Sequence, residues 1–448
     1  MTTTLETKTG ASLLERRLAS AIDRISPAGE SERLAGLRRA AAARYDSLGV
    51  PTTRHEEWRF TNLKPIADTD FAAPSPAKPM DPATIEPYAY SGCTQLVFRN
   101  GRLDPELSKV EELPEGVVVE SLASARRTRP ELLDAYLGNH ASFEQHPFVA
   151  LNTALWQDGP LLLIPRGVIV EKPINLIFLG EPEERPVAFF PRLLIVAEES
   201  SQATVLEQYA TVGEGAYLTS PVTEVLLHDN AVVDHYKLQR ESIEAYHLAT
   251  FQLWQSRDAN FTSHSISWGG AIVRNDVNAV LDGEGGEATL NGLYMVEGTQ
   301  LVDNHMRVEH AKPHCDSHEL FKGILEGRAR AVFNGRIYVH EGAQKTDAKQ
   351  TNRNLLLSDK AVCNSNPQLE IFADDVRCTH GSTVGQLDET AIFYLRSRGI
   401  GEVAAKSLLT YAFAADIVTR IRMPAVRAEL EEFLFRRLPR GEVVRQAV

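Results

Sequence analysis

The stretch EIFADDVRCTHGSTVGQLDETAIFYLRSR, residues 370–398, marks the place where two kinds of structure meet in this chain. Extended runs at 369–372 and 376–380 flank a short acidic turn. The chain then enters a helix for which Asp388 is a typical N-cap residue. The pattern therefore predicts β-structure up to about residue 383 and helices after it.

The second extended run places a thiol and an imidazole on one face of a strand. Successive strand side chains alternate between faces, so Val376, Cys378 and His380 share a side, with neighbours about 6.5 Å apart. Thiolate and imidazole are ligands that iron, copper and zinc accept. Cysteine is also among the residues most often buried, and Val376 on the same face indicates packing. The spacing alone leaves both interpretations open: a metal-binding or proton-accepting pair, or a packed cysteine with a core histidine.

Short apolar or alternating runs precede this stretch from about residue 152 onward, with little helical periodicity. Residues predicted to form turns recur at intervals of 10 to 13 along part of this region: Asp258, Gly269, Asp282, Gly292 and Asp303. Many short strands at such spacing indicate a sandwich, a barrel or a β-solenoid. The region is longer than 220 residues and lacks the Cys…Trp…Cys pattern of a sandwich. These features favour the solenoid.

Helical periodicity flanks the β-region on both sides. Residues 11–48 are predicted to form two helices separated near Pro27, and a proline-rich run at 72–87 is predicted to be a linker or surface loop. Between them, Trp58 and Phe60 of the segment RHEEWRF are predicted to anchor a loop to the domain, with an interaction epitope as the alternative.

After residue 400, apolar residues recur at four-residue steps, as on one side of a helix: Leu409, Phe413, Ile417 and Ile421. We therefore predict a mainly helical N-terminal domain at 1–140, a β-core at 141–383 and a helical C-terminal domain at 384–448.

Charge and cysteine content narrow the class of protein. The 448 residues carry a net charge of −13, which disfavours non-specific binding to nucleic acid or to an anionic membrane surface. No run approaches the roughly 20 apolar residues of a membrane span, and the start MTTTLETKTG lacks the pattern of a signal peptide. The four cysteines include no CxxC pair, so free thiols in a reducing compartment are expected. The expected location is the cytoplasm.

A histidine-rich segment, NHMRVEHAKPHCDSHE, offers five potential metal ligands: His305, His310, His314, Cys315 and His318. Imidazole and thiolate would suit iron or zinc. However, the spacing matches no zinc finger, and Pro313 interrupts any helix. Polar solenoid surface is the interpretation that we prefer.

Motifs for several enzymes are absent. The sequence contains no GxxxxGK[ST] phosphate loop, so ATP hydrolysis by this chain is not expected, and no GxSxG elbow. These absences argue against an ATPase and against a hydrolase with a nucleophile elbow. A β-helix enzyme acting on polysaccharide stays an alternative, since carboxylates could line a groove on successive coils.

Several segments resemble one family. They are RHEEWRF at 54–60, NTALWQDGPLLLIPRGV at 152–168, NRNLLLSDKAVCNS at 352–365, PQLEIFADDVRCTHG at 367–381 and FYLRSRGI at 393–400. Together they resemble the SufD-type subunits of the SUF iron–sulfur cluster assembly system, and the likeness spans most of the chain. The paralogous SufB type is the alternative, but CTHG at 378–381 and GQLDE at 385–389 match the SufD pattern.

The resemblance implies a right-handed parallel β-helix core and a non-catalytic scaffold subunit. Such a subunit pairs with a SufB homologue through the end of the β-helix, and His380, followed by Cys378, would act there as iron ligand or proton acceptor. No intrinsic cofactor is expected, although a transient iron–sulfur cluster and a reduced flavin are implied for the assembled complex. Self-pairing into a homodimer is left open.

The resemblance also implies that the C-terminal helices bind the SufC ATPase. Four apolar positions are candidates for this contact: Phe393, Leu409, Phe413 and Ile417.

Overall fold

The computed structural model describes Leu14, Leu18, Pro27 and residues 29–447 of the chain. Over these residues the protein is mainly β, with a β-solenoid of about eight turns and helices on both sides of it. The predicted fold class is thus confirmed, and the right-handed sense that the resemblance implies stays a prediction.

The strands follow one another in short coils. In chain order they are β1 Thr94–Arg99, β2 Arg102–Lys109, β3 Val118–Ser121, β4 Pro160–Ile164, β5 Ile174–Gly180, β6 Val187–Phe189, β7 Arg192–Ala197, β8 Gln202–Thr211, β9 Tyr217–Thr219, β10 Val222–Leu227, β11 Val232–Arg240, β12 Tyr246–Gln255, β13 Asn260–Ser267, β14 Ile272–Leu281, β15 Glu287–Val296, β16 Leu301–His310, β17 Asp316–Leu325, β18 Arg330–Val339, β19 Asp347–Leu356, β20 Val362–Ile371 and β21 Arg377–Gly385.

These strands form two long sheets that face each other. The first has the order β2-β1-β5-β8-β11-β13-β15-β17-β19-β21, and the second has the order β20-β18-β16-β14-β12-β10-β7-β4-β3. Apart from the antiparallel pairs β1–β2 and β3–β4, neighbouring strands are parallel. Each coil therefore contributes one strand to each sheet, and the chain advances along the solenoid axis by one strand spacing per coil.

Alternation of side chains fills the interior between the sheets. Inward-facing residues of successive coils stack in register, as shown by Phe98, Phe178 and Tyr209, whose ring centroids are 5.3 and 4.8 Å apart. Corners between strands use left-handed backbone at polar residues, including Asn230 and Asp258. Parallel strands that are covered on both faces bury long apolar runs, and this is why the sequence shows so little clean alternation.

Two of the predicted turn residues lie inside strands instead. Gly292 is in β15, where Phe321 fills the space that a Cβ would occupy. Asp303 is in β16, where its carboxylate accepts a hydrogen bond from Arg274 at 2.8 Å. Glycine and aspartate favour turns, but here the glycine makes room for Phe321 and the aspartate pairs with Arg274 within the sheets.

The helices are α1 Glu32–Leu48, α2 Lys64–Ala67, α3 Leu122–Thr128, α4 Pro130–Tyr136, α5 Pro147–Leu155, α6 Glu389–Ser397, α7 Glu402–Val418, α8 Pro424–Arg437 and α9 Gly441–Ala447, with 3₁₀ turns at Glu56–Trp58 and Pro82–Tyr88. Helix α1 is the second of the two predicted N-terminal helices; the first falls outside the described residues except for Leu14 and Leu18, which are buried. None of the helices in the described ranges has the length and apolar character that crossing a membrane requires.

The sheets of the solenoid include strands that precede residue 140, the predicted end of the N-terminal domain. Strands β1 and β3 extend the two sheets of the solenoid, so the sheets begin well before that position. At the other end, α7 and α8 pack on the outer face of the first sheet, where Ile417 is 0% exposed among Leu238, Ile266 and Leu430.

Candidate site at the open end of the solenoid

The last coil leaves both sheets open. Strand β20 is paired with β18 and β21 is paired with β19, and among the described residues neither has a strand on its other side. Such an edge presents unpaired backbone N–H and C=O groups to which another chain can add a strand.

The two open edges differ in what they offer. Arg377 donates its backbone N–H to Thr346, so by alternation the N–H groups of Cys378, His380, Ser382 and Val384 face away from β19. On β20, the backbone N–H groups of Val362 and Phe372 donate to the neighbouring β18 coil, so the N–H groups of the odd-numbered residues face the open edge. Pro367 occupies one of these outward positions and has no N–H to donate. The edge of β21 is therefore continuous, whereas that of β20 is interrupted.

The predicted pair lies on this last coil. His380 is exposed, and no other described residue forms a hydrogen bond or ion pair with its ring. Cys378 is half-buried beside Leu369 and Val376, and burial raises the pKa of its thiol. The two residues therefore differ: the imidazole is accessible, whereas the sulfur is a mostly protonated thiol that packs against the interior.

Three residues that the sequence interpretation missed complete the inner side of the last coil. Ser382 donates from its hydroxyl to Ser365 at 2.8 Å, which links β21 to β20 across the interior. Cys363, two residues before Ser365, also faces inward, and burial raises the pKa of its thiol to about 12. For Cys363 and Ser365 the available signal is their two-residue spacing at the end of NRNLLLSDKAVCNS, which puts both on one face of a strand.

The structure does not bring the potential ligands of the histidine-rich segment together. Over the ranges that the structure describes, no group of three or more His, Cys, Asp or Glu side chains could hold a metal ion. His310 is buried and lies 2.9 Å from the hydroxyl of Ser317, His314 is an exposed corner residue with φ 58°, and the Cys315 thiol donates to the carbonyl of Gly283. Alternation and the corner at His314 separate these side chains.

His305 belongs instead to an ionic network that holds the RHEEWRF segment to the second sheet. Its ring lies 3.0 Å from Asp303 and 3.3 Å from Glu57. Burial would lower the pKa of His305, but the two carboxylates outweigh it and raise that pKa to about 9. The network lines a cleft of about 780 Å³, in whose wall Arg274 and Asp276 form an ion pair at 2.8 Å.

Trp58 is the anchor of that segment. It is 6% exposed and lies under the guanidinium of Arg274, which is 3.7 Å from the ring centroid. Phe60 is 45% exposed, so the prediction that it is a second anchor is wrong. Of the two aromatic side chains, only that of Trp58 packs against the sheet.

The four candidate positions for an ATPase contact have different environments. Phe393 on α6 is 72% exposed, and Leu409 and Phe413 on α7 are half-buried. Ile417 is fully buried against the solenoid and is not available for docking, because the apolar stripe of α7 packs on the first sheet. Tyr394 and Val403, which were not predicted, are exposed near Phe393 in sequence.

Comparison with known proteins identifies the family. The family model described as "SUF system FeS cluster assembly, SufBD core domain" matches residues 178–413, and the model "SufBD protein N-terminal region" matches residues 20–176. The chain is 34% identical over 413 residues to an iron–sulfur cluster assembly SufBD family protein of Synechocystis, which covers 90% of this chain and 91% of that protein.

Two proteins named SufD give the same result. The iron–sulfur cluster assembly protein SufD of Escherichia coli is 34% identical over 397 residues, which are 88% of this chain and 90% of that protein. SufD of Bacillus subtilis is 28% identical over 423 residues, which are 90% of this chain and 94% of that protein. The chain belongs to the SufBD family of the SUF system for iron–sulfur cluster assembly, the family that its sequence motifs resemble.

Proposed function

We propose that this chain is a non-catalytic scaffold subunit that pairs with a SufB homologue through its last coil and binds the SufC ATPase through its C-terminal helices. The observation that supports the proposal is the location of the exposed large hydrophobic side chains. Eleven large hydrophobic side chains are exposed among the described residues, and seven of them lie in two groups. Val362, Ile371, Phe372 and Val384 are in or beside the last coil, and Phe393, Tyr394 and Val403 are on the first two C-terminal helices.

The first group supports pairing by strand addition. Apolar side chains beside an open strand edge are a liability in a monomer and suit an interface. The edge of β21 offers four consecutive outward N–H positions, whereas Pro367 interrupts β20. The partner's strand would therefore be added to β21. A second copy of this chain could use the same edge, so self-pairing is the second candidate for the free subunit.

In cluster assembly at this junction, His380 would be the main functional residue and Cys378 the second. A neutral imidazole presents a lone pair that can bind iron or accept a proton, and His380 is exposed at the edge that pairs. Cys378 must first lose a proton that burial helps it to keep. One imidazole and one thiolate do not complete the coordination of iron, so the remaining ligands would come from the partner or from the nascent cluster.

The test is to co-express the chain with candidate SufB and SufC proteins, to weigh the purified assembly, and to measure iron and sulfide loading. His380→Ala is expected to leave the assembly intact and to stop loading, because the ring makes no contact that the fold needs. The matched control is His314→Ala, at an exposed corner elsewhere. Normal loading of the His380 variant would remove this residue from the mechanism, and assembly with neither partner would overturn the proposal.

The second group supports docking of SufC. Phe393→Asp is expected to abolish retention of SufC while the pairing with SufB persists, since the side chain is exposed and packs on nothing that the fold requires. Ile243→Asp provides the control, because Ile243 is 68% exposed in a loop between β11 and β12. Equal retention of SufC by the two variants would argue against this docking surface.

A further inference from the structure

A ladder of polar side chains runs inward from the open end. In the parallel register, Glu319 of β17 is opposite Gln350 of β19, and Gln350 is opposite His380 of β21. Residues paired in this way stack on the same face of a sheet at the strand spacing of about 4.8 Å. The three side chains therefore lie in one row on the inner face of the first sheet, with His380 outermost.

The inner two members are fixed to each other. The amide nitrogen of Gln350 donates to both carboxyl oxygens of Glu319, at 3.2 and 3.1 Å. Both side chains are buried. Because the nitrogen is committed to Glu319, the amide oxygen of Gln350 points elsewhere, and it is buried without a hydrogen-bond partner among the described residues. A buried acceptor without a donor is costly.

The opposite sheet makes room for this arrangement. A Cβ atom at Gly335 would lie 2.3 to 2.5 Å from the amide atoms of Gln350. Any larger residue at position 335 would therefore displace the amide. The row therefore combines a buried carboxyl, a buried amide with an unpartnered oxygen and the space left by a glycine, and it ends at the exposed His380.

We propose that Glu319 is a positioning residue for His380, and that it acts through Gln350. The register places the Gln350 side chain opposite His380, and in the structure neither the Gln350 amide oxygen nor the His380 ring has a hydrogen-bond partner among the described residues. A neutral imidazole has one N–H, and a rotation of the His380 ring toward Gln350 would give that N–H its acceptor. When that N–H is held by Gln350, the other ring nitrogen keeps its lone pair free and directed away from the interior. The row thus selects one tautomer of His380 and one orientation of its ring.

The carboxyl of Glu319 suits this role. Burial raises its pKa to about 8, and the Gln350 amide is the group that counteracts the rise. A carboxyl oxygen accepts the amide N–H whether the group is protonated or ionised. The importance of this selection for cluster assembly rests on the proposed function of His380, whereas the selection itself is a property of the free chain.

The experiment measures the tautomer of His380 directly. The full chain is labelled with ¹⁵N-histidine, long-range ¹H–¹⁵N spectra are recorded where the imidazole is neutral, and His380→Asn identifies the signal. The expected result is one dominant tautomer in the wild type. Glu319→Leu and Gln350→Leu are expected to move the tautomer ratio by about fivefold, the size of one net hydrogen bond. Glu319→Gln is expected to retain the wild-type ratio, because its amide oxygen still accepts from Gln350.

Two further variants test whether the change in tautomer ratio depends specifically on the position of the Gln350 amide. Gly335→Ala is expected to reproduce the effect of Gln350→Leu without removing a polar group, since it displaces the amide. Gln368→Leu removes an amide from the outer side of β20, where Gln368 accepts a hydrogen bond from Arg336, and is expected to change nothing. A tautomer ratio that is the same in the wild type, Glu319→Leu and Gln350→Leu overturns the proposal. If the ratio shifts while iron and sulfide loading of the assembled complex does not, the positioning stands and the proposed function of His380 fails.

Discussion

The hydroxyl of Ser382 donates a hydrogen bond to the hydroxyl of Ser365 at 2.8 Å, and this contact joins the two sheets at the last coil. Ser365 in turn donates to the side-chain oxygen of Asn352 at 2.9 Å, and Asn354 donates to the same oxygen at 2.7 Å. A chain of hydrogen bonds therefore connects the exposed end of the solenoid to its buried interior.

Removing the hydroxyl of Ser365, which is central to this series of hydrogen bonds, should destabilise the last coil and leave the rest of the fold unchanged. Ser365→Ala is expected to lower the free energy of unfolding by no more than about 1 kcal/mol, the net value of a hydrogen bond with a half-exposed partner. Hydrogen exchange of the β20 and β21 amides should become faster, because local opening of the last coil is then less costly. Exchange in β8 and β11 is the internal control, and faster exchange there as well would contradict a local role.

The anchoring of the RHEEWRF segment should weaken at alkaline pH. His305 has a pKa of about 9 in the fold, above its ordinary value of 6.5, so its ion pairs contribute stability that is fully present below about pH 6.5 and is lost as the pH rises through about 9. Cleavage by trypsin after Arg54 and Arg59 should accelerate over that range, measured relative to a peptide substrate at each pH. His305→Asn should give fast cleavage at every pH. A wild-type ratio that stays flat between pH 6.5 and 9.5 would show that the network does not hold the segment.

The buried pair Arg192–Glu224 should be a large contributor to stability. Glu224 is 0% exposed and accepts hydrogen bonds from Arg192 and from the backbone N–H groups of Gly138, His140 and Ala141. Removing its charge leaves the buried guanidinium uncompensated, so Glu224→Gln is expected to lower the free energy of unfolding by about 3–5 kcal/mol in urea titrations.

The surface pair Arg166–Glu199 provides the control for this measurement. Its two side chains are exposed, and Glu199→Gln is expected to cost less than about 1 kcal/mol. Equal losses in the two variants would mean that burial does not set the strength of the inner pair.

The architecture was predictable from the sequence because its signals are local. The solenoid follows from many short strands, the last strand from the run at 376–380, and the C-terminal transition from Asp388, which caps α6 by accepting from the N–H of Thr390 at 2.8 Å. Ile417 shows the limit of such signals. A stripe at four-residue steps marks an apolar helix face, but it does not tell whether that face packs within the chain or binds a partner.

The row Glu319, Gln350 and His380 could not be found in the sequence. Its members are about 30 residues apart, and only the register of the coils brings them together. The lengths of the intervening corners set that register, and a change of one residue would turn the side chains to the opposite face. The direction in which Cys378 and His380 point was predictable by alternation, whereas the groups stacked beneath them were not.

Proline substitutions at the neighbouring positions 383 and 384 should show whether the open edge of β21 binds a partner strand or is only the end of the sheet. The N–H of Val384 faces the open edge of β21, whereas alternation directs the N–H of Thr383 to β19. Val384→Pro should leave the melting temperature of the free chain nearly unchanged and abolish co-purification with a SufB homologue, because it removes a donor that only a partner uses. Thr383→Pro should lower the melting temperature, because it breaks a hydrogen bond of the ladder. If Val384→Pro binds the partner as tightly as the wild type, the partner does not add a strand to β21, and the exposed apolar side chains at the last coil need another explanation.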